Sequence, residues 1–76
     1  MIHELDMVVL ARDVPKHGLQ AGDVGTVVHC YKDETALEVE FVTAAGKTIA
    51  VLTLDLADVH AMEGEQILHV RELAPA

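Results

Sequence analysis

The sequence predicts a single, mainly β domain, and three features of the chain support this class. Hydrophobic residues make up 51% of the 76 residues, yet Tyr31 and Phe41 are the only aromatic ones, so aliphatic side chains must form the core. Branched aliphatic side chains favour strands because they pack well on a pleated surface. One short stretch, residues 37–42, alternates between apolar and acidic residues, which is typical of a half-buried strand. A domain of this size buries only about 60% of its unfolded surface, which leaves little room for a deep catalytic cleft.

The first predicted elements are a strand and a long loop. The run "DMVVLARD", residues 6–13, is apolar at its centre and charged at its ends, as expected for a short strand. The next ten residues, 14–23, contain Pro15, Gly18 and Gly22, which interrupt any regular element. We therefore expect a long connection between the first and second strands.

The second and third strands are predicted to form a hairpin. Residues 24–32, "VGTVVHCYK", are rich in β-branched residues, and the polar residues 32–35 supply the connection. In residues 37–42, successive side chains point to opposite sides of the sheet. The apolar side consists of Leu37, Val39 and Phe41, and the acidic side consists of Glu38 and Glu40.

The rest of the chain predicts a long strand, a short strand and a C-terminal segment. Gly46 supplies the turn before a strand at residues 48–54. Residues 55–59 form one helical turn that leads into a short strand at about residues 58–61. In residues 65–73, "EQILHVREL", the apolar positions fit an amphipathic helix and a sixth strand about equally, and we favour the helix.

Five short strands, a long loop after the first and a single turn before the last fit a small SH3-like barrel. Closure into a barrel also removes exposed strand edges. We expect one domain over residues 1–76, with the barrel at about residues 3–61 and a C-terminal segment at 62–76. The candidates for a homodimer interface are the outer positions of the first strand, either Val8 and Leu10 or Met7 and Val9.

The charge of the chain bears on its partners. Thirteen acidic residues against five Lys and Arg give a formal net charge of -8. Proteins that bind nucleic acids usually carry a basic patch, because contacts with phosphates supply most of their affinity. The charge therefore disfavours DNA or RNA and suits a basic protein partner, although acidity also serves solubility alone.

The cysteine count and the hydropathy pattern predict a cytoplasmic protein. Cys30 is the only cysteine, so an internal disulfide is excluded. No secretory signal pattern precedes the first predicted strand. No apolar run approaches the ~20 residues that a membrane helix needs, so we expect no membrane span.

The glycines of "GLQAGDVGTVV" raise the question of a phosphate-binding loop. Such a loop places backbone N–H groups and a helix N-terminus at the anion. Here strand-forming residues follow the loop, no Lys-Ser or Lys-Thr pair is present, and Asp23 would repel an anion. We therefore interpret Gly18, Gly22 and Gly25 as structural turn residues that permit positive φ or a close approach of the backbone.

Histidines and cysteine give no metal or catalytic site. No two of the five histidines have the spacing of metal ligands on one strand or helix. His29 and Cys30 are adjacent on a strand and point to opposite faces. We expect Cys30 to continue the face of Val28 as a small buried residue. The sequence thus predicts no enzyme, no cofactor and no metal.

Acidic residues around the third strand are the best candidates for a partner-binding surface. Glu38 and Glu40 lie about 7 Å apart on one strand face, which is a spacing that paired catalytic carboxylates can have. Catalysis would also need a cleft with apolar walls, which this chain does not predict. With Asp33 and Glu34 just before them, the two glutamates predict an acidic surface for a protein partner.

Residues 3–59 carry a family resemblance. The runs "LQAGDVGTVV", "EVEFV" and "IAVLTL" resemble the DUF4926 family of small bacterial proteins, and "ILHVREL" is similar to a tail that some members carry. The resemblance implies an SH3-like barrel without a known activity. The resemblance also implies that genes of this family lie beside genes for toxins, which would suit an antitoxin or immunity role for their products.

The glycine-containing stretch is also similar to a KOW motif, which occurs in transcription and ribosomal proteins. KOW modules that bind RNA are generally basic, whereas residues 17–31 of this chain contain no Lys or Arg. Two functions follow. The first is a non-enzymatic module that binds a basic protein through an acidic face, and the alternative is a KOW-like nucleic-acid or ribosome-associated module that uses residues 15–25.

Overall fold

The structure, a computed structural model, describes residues 2–33 and 35–73, and most of its regular elements are strands. The strands are β1 (Met7–Leu10), β2 (Val24–Cys30), β3 (Ala36–Val42), β4 (Thr48–Asp55) and β5 (Val59–Ala61). Two 3₁₀ turns of three residues each occur at Pro15–His17 and Leu56–Asp58. The first strand is shorter than expected, so the loop between β1 and β2, here called the glycine loop, covers residues 11–23.

All five strands belong to one antiparallel sheet with the order β4-β3-β2-β1-β5. The predicted mainly β class with five strands is therefore confirmed. β1 lies between β2 and β5, where Val9 is paired with both Val24 and His60. Closure of this sheet into a barrel stays a prediction. Neither 3₁₀ turn approaches the length of a membrane-spanning helix, and no other helix occurs in the described residues.

The core lies on one side of the sheet, and the alternation of β3 shows why. Leu37, Val39 and Phe41 are buried, as the sequence predicts. From β1, Val8 and Leu10 enter the same core, so Met7 and Val9 are the residues of that strand that face outward. The core consists of Val8, Leu10, Leu19, Val27, Leu37, Val39, Phe41, Leu54 and Val59.

A β-bulge in β2 changes which residues face the core. The pairing shifts between Val27 and His29, so Val28 is the extra residue and lies 41% exposed. Cys30 is then paired with Leu37 and packs half-buried against the core. The expectation that Cys30 continues the face of Val28 is wrong, because one inserted residue reverses the alternation beyond it.

Glycine is required at two positions near the start of β2, for a different structural reason at each. Gly22 has a φ of +96°, a conformation that side chains with a Cβ rarely adopt. Gly25 sits against the core, and a Cβ there would lie 2.5 Å from Cγ1 of Val39 and 2.9 Å from Cε1 of Phe41. The first glycine lets the chain turn, and the second lets β2 approach β3 over the core.

Residues 62–73 form neither a helix nor a sixth strand, so both alternatives for the C-terminal segment are wrong. The only turn among them is at residues 64–65, where the amide of Gln66 donates to the carbonyl of Glu63 at 3.1 Å. An amphipathic helix this short needs a surface on which to bury its apolar side. Ile67 is instead 93% exposed, and Leu68 is exposed as well.

Candidate functional site

The predicted acidic residues Glu38 and Glu40 lie on the outward side of the sheet. Because Leu37, Val39 and Phe41 are taken up by the core, the two glutamates must point away from it. Glu38 lies between His29 of β2 and Thr53 of β4, and Glu40 lies between Thr26 and Val51. We call the outward side of β1 to β4 the outer face.

The carboxylate of Glu38 is held by two hydroxyl groups. Thr53 Oγ1 donates a hydrogen bond to Oε1 of Glu38, and the Tyr31 hydroxyl donates to the same oxygen at 2.9 Å. These bonds, Thr53 first, lower the pKa of Glu38 against a smaller opposing effect of burial. The hydrogen bond to Glu38 in turn raises the pKa of the Tyr31 hydroxyl. Glu38 therefore presents a fixed negative charge at neutral pH.

Glu40 is oriented in a similar way by a second threonine of β4. Thr48 Oγ1 donates a hydrogen bond to Oε2 of Glu40 at 2.9 Å. Threonines of β4 thus orient both glutamates. An ionised carboxylate has about four acceptor positions, so each glutamate keeps acceptor positions for a donor from outside the chain.

Exposed apolar side chains surround the two carboxylates, and of these the sequence suggested only Met7, as one of two options for the outer side of β1. They come from three strands and from the residue after β2, and they are Met7, Val28, Tyr31 and Val51. Val28 faces outward because its neighbour Val27 enters the core, and Met7 and Val51 face outward because of the register of β1 and β4. A face that combines apolar side chains with a few oriented polar groups is typical of protein interfaces.

The predicted site residue Asp33 lies outside the strands that form this face. Asp33 lies in the connection between β2 and β3, where its Oδ1 accepts a hydrogen bond from the amide of Thr35 at 3.2 Å. This bond lowers the pKa of Asp33 and is typical of an Asx turn. Glu34 lies outside the described residues. Asp33 therefore shapes the hairpin connection, and the candidate site is the outer face around Glu38 and Glu40.

A second polar contact joins the glycine loop to the C-terminal segment. Arg71 Nε donates to Oδ1 of Asp23 at 2.9 Å, and Nη2 donates both to Oδ2 of Asp23 and, at 3.0 Å, to the carbonyl of Gly18. Burial raises the pKa of Asp23, but the hydrogen bonds from Arg71 and from the Gln20 amide outweigh it and leave that pKa lowered. The loop that first suggested an anion site thus binds a cationic side chain.

The remaining reactive residues are dispersed. Among residues 2–33 and 35–73, no three His, Cys, Asp or Glu side chains are placed so that they could hold a metal ion. Cys30 has its Sγ 3.9 Å from the carbonyl oxygen of Ile2, under the N-terminal segment. His29 contacts Tyr31 edge to face, with 4.9 Å between ring centroids, and so belongs to the surroundings of Glu38.

Comparison with known proteins gives one match. The model of a family described as a domain of unknown function, DUF4926, matches residues 4–61. No curated protein and no solved structure matches the chain. The family match includes all five strands, the glycine loop and the outer face, whereas residues 62–73 lie beyond it. The match covers well over half of the chain, and the protein belongs to the DUF4926 family.

Proposed function

We propose that this member of the DUF4926 family is a non-enzymatic protein-binding module whose outer face binds a basic partner protein. The observation that carries the proposal is the combination on one face of two oriented carboxylates, Glu38 and Glu40, with exposed apolar side chains. The apolar groups supply contact area, and the carboxylates accept hydrogen bonds from Lys or Arg of the partner.

Charge supports a protein rather than a nucleic acid as the partner. The net charge of -8 attracts a basic surface and speeds the encounter with it. The same charge repels phosphates, and the glycine loop of the KOW-like alternative holds Asp23 paired with an arginine. A basic toxin or nuclease in the cytoplasm, neutralised as by an antitoxin, is the class of partner that we favour.

The proposal is tested by co-expression with the product of the neighbouring gene and capture at low salt. The double variant Glu38→Gln/Glu40→Gln removes two charges and keeps the shapes of both side chains. We expect it to raise Kd roughly tenfold or more, because charge-assisted hydrogen bonds are lost. The matched control is Glu63→Gln/Glu65→Gln, which removes the same charge from the exposed C-terminal segment.

Three outcomes decide the matter. Weaker capture by the outer-face variant than by the control supports the proposal. Equal capture by the two variants contradicts it, as does failure to capture the product at low salt. A gel shift with RNA or duplex DNA at low ionic strength, where phosphate contacts are strongest, would instead support the nucleic-acid alternative.

A further inference from the structure

The C-terminal segment lines part of a groove in the sheet domain. The groove has a volume of about 360 Å³ and lies between the glycine loop and the β3–β4 connection. Its walls in the family-matched part of the chain include Leu19, Gly22, Phe41 and Ile49, and the segment adds residues 69–71 and Leu73. The groove is thus built by the sheet domain and lined in part by a segment beyond it.

The polar end of the groove holds the guanidinium of Arg71 in a planar arrangement of acceptors. The guanidinium of Arg71 makes two parallel bonds to the carboxylate of Asp23 and a third to the carbonyl of Gly18. A lysine ammonium cannot reproduce this planar, bidentate arrangement. Both side chains are largely withdrawn from water, with 26% of Arg71 and 18% of Asp23 exposed.

Asp23 is positioned without help from Arg71. Its Oδ2 accepts a hydrogen bond from the amide of Gln20 at 2.8 Å, and its own amide donates to the carbonyl of Gln20 at 3.0 Å. Its carbonyl also accepts a hydrogen bond from the amide of Leu10 in β1. The acceptor is therefore held by backbone hydrogen bonds of the loop as well as by Arg71.

The segment, in contrast, depends on a few contacts. Residues 62–70 contain no helix or strand, and both Ile67 and Val70 are more than nine-tenths exposed. Beyond Arg71, Leu73 reaches the groove, where its Cδ1 lies 3.5 Å from the place of a Cβ on Gly18. An arginine and a leucine two residues apart are thus the contacts that seat the segment.

We infer that this groove is a peptide-binding site for an extended segment of a partner protein that carries arginine followed two residues later by a large aliphatic residue, and that Arg71 and Leu73 occupy it in cis. The negative charge of Asp23 suits the arginine, and the apolar wall of Leu19 and Phe41 suits the aliphatic residue. The site is separate from the outer face and does not rest on the function proposed for it.

The test uses the full-length chain with Arg71→Ala, which vacates the polar end of the groove. The probe is a fluorescent peptide with the sequence of residues 65–73, and binding is measured by anisotropy. We expect the Arg71→Ala chain to bind the peptide at least tenfold more tightly than the wild type, whose own segment competes. The chain with Arg12→Ala, which loses the other Arg–Asp pair of the described residues and keeps the segment, should behave as the wild type.

Peptide variants keep the test valid even if a protein variant folds poorly. Against the Arg71→Ala chain, replacing the peptide arginine by lysine, or its final leucine by glycine, should weaken binding at least fivefold. A second probe with Arg-Ala-Leu in an otherwise unrelated sequence should compete. Adding Asp23→Asn to the Arg71→Ala chain should weaken binding of the unchanged peptide.

Several results would overturn the inference. They are absence of binding to the Arg71→Ala chain at millimolar peptide, equal binding of the arginine and lysine peptides, or no effect of Asp23→Asn. A wild-type dimer that dissociates on Arg71→Ala would also overturn it, since the segment would then serve a second copy of the chain rather than its own groove.

Discussion

Leu10 in β1 is 1% exposed, whereas Val70 in the C-terminal segment is 91% exposed, although both belong to apolar runs in which the sequence predicts regular structure. β1 has a strand on either side and a core beneath it. Residues 62–73 are paired with no strand in the described part of the chain, and Ile67, Leu68 and Val70 are left in water. The comparison shows that an apolar pattern becomes a strand or helix only where another surface covers it.

The two arginine–aspartate pairs also differ between the sheet and the C-terminal segment. Arg12 binds Asp58, and Arg71 binds Asp23, and each aspartate also accepts a backbone N–H of its own turn. Around the first pair, the amide of Ala11 also donates to the carbonyl of Asp58, and β1 and β5 are paired. Arg12 therefore adds to an arrangement that backbone bonds already hold, whereas Arg71 is the main polar contact of its segment.

The largest effect is expected from removing core volume in the sheet. Leu10→Ala should lower the free energy of unfolding by about 2–5 kcal/mol, because it leaves a cavity in a small core. Val70→Ala should change it by no more than about 0.5 kcal/mol, since that side chain is in water. Urea denaturation measures both. A comparable loss in the two variants would mean that the segment is packed more firmly than its exposure indicates.

Adding a methyl group should also destabilise the sheet and leave the C-terminal segment unaffected, although the loss of unfolding free energy should be smaller than for Leu10→Ala. Gly25→Ala places a Cβ against Val39 and Phe41 and should lower the free energy of unfolding by about 1–3 kcal/mol. Gly64→Ala, where no heavy atom lies within 4 Å and φ is not positive, should have little effect. The same denaturation assay serves, and equal stability of the two variants would contradict the close approach of β2 to β3.

A third contrast separates the two arginines. Arg71→Ala should lower the NMR backbone order parameters of residues 66–73 and leave those of β1–β3 unchanged, because the sheet does not depend on this contact. Arg12→Ala should leave the order parameters of residues 66–73 unchanged. If both variants altered the segment equally, Arg71 would not be its specific attachment.

Lowering the pH should have the smallest effect, which is release of the C-terminal segment from Asp23 at low pH only. The folded-state pKa of Asp23 lies below its ordinary value of 3.8, so the ionised carboxylate stabilises the attached state fully above that value. The contribution is lost as pH falls through the lowered pKa. The side-chain NMR signals of Arg71, the group bound to Asp23, should therefore stay constant from pH 7 to about 5 and change below 3.8. The Asp23→Asn chain should lack this transition, and release of the wild-type segment above pH 5 would contradict the assignment.

Much of the sheet could be predicted from the sequence, whereas half of the candidate site could not. Glu38 and Glu40 follow from the alternation of β3, which is a local property. The outward direction of the apolar side chains Met7, Val28 and Val51 depends on strand register and on which side of each strand enters the core. Asp33 is exposed, as its charge predicts, and its carboxylate also accepts a hydrogen bond within the hairpin turn, while its part in partner binding stays a prediction.

By itself, the sequence determined the strands, the outward direction of the two glutamates and the need for glycine where β2 begins. These features follow from side-chain alternation and backbone sterics over a few neighbouring residues. Only the tertiary structure decided that Val28 turns outward, that residues 62–73 stay without regular structure and that Arg71 meets Asp23. The last contact joins residues 48 positions apart, and a local pattern carries no information about which distant surface a segment will find.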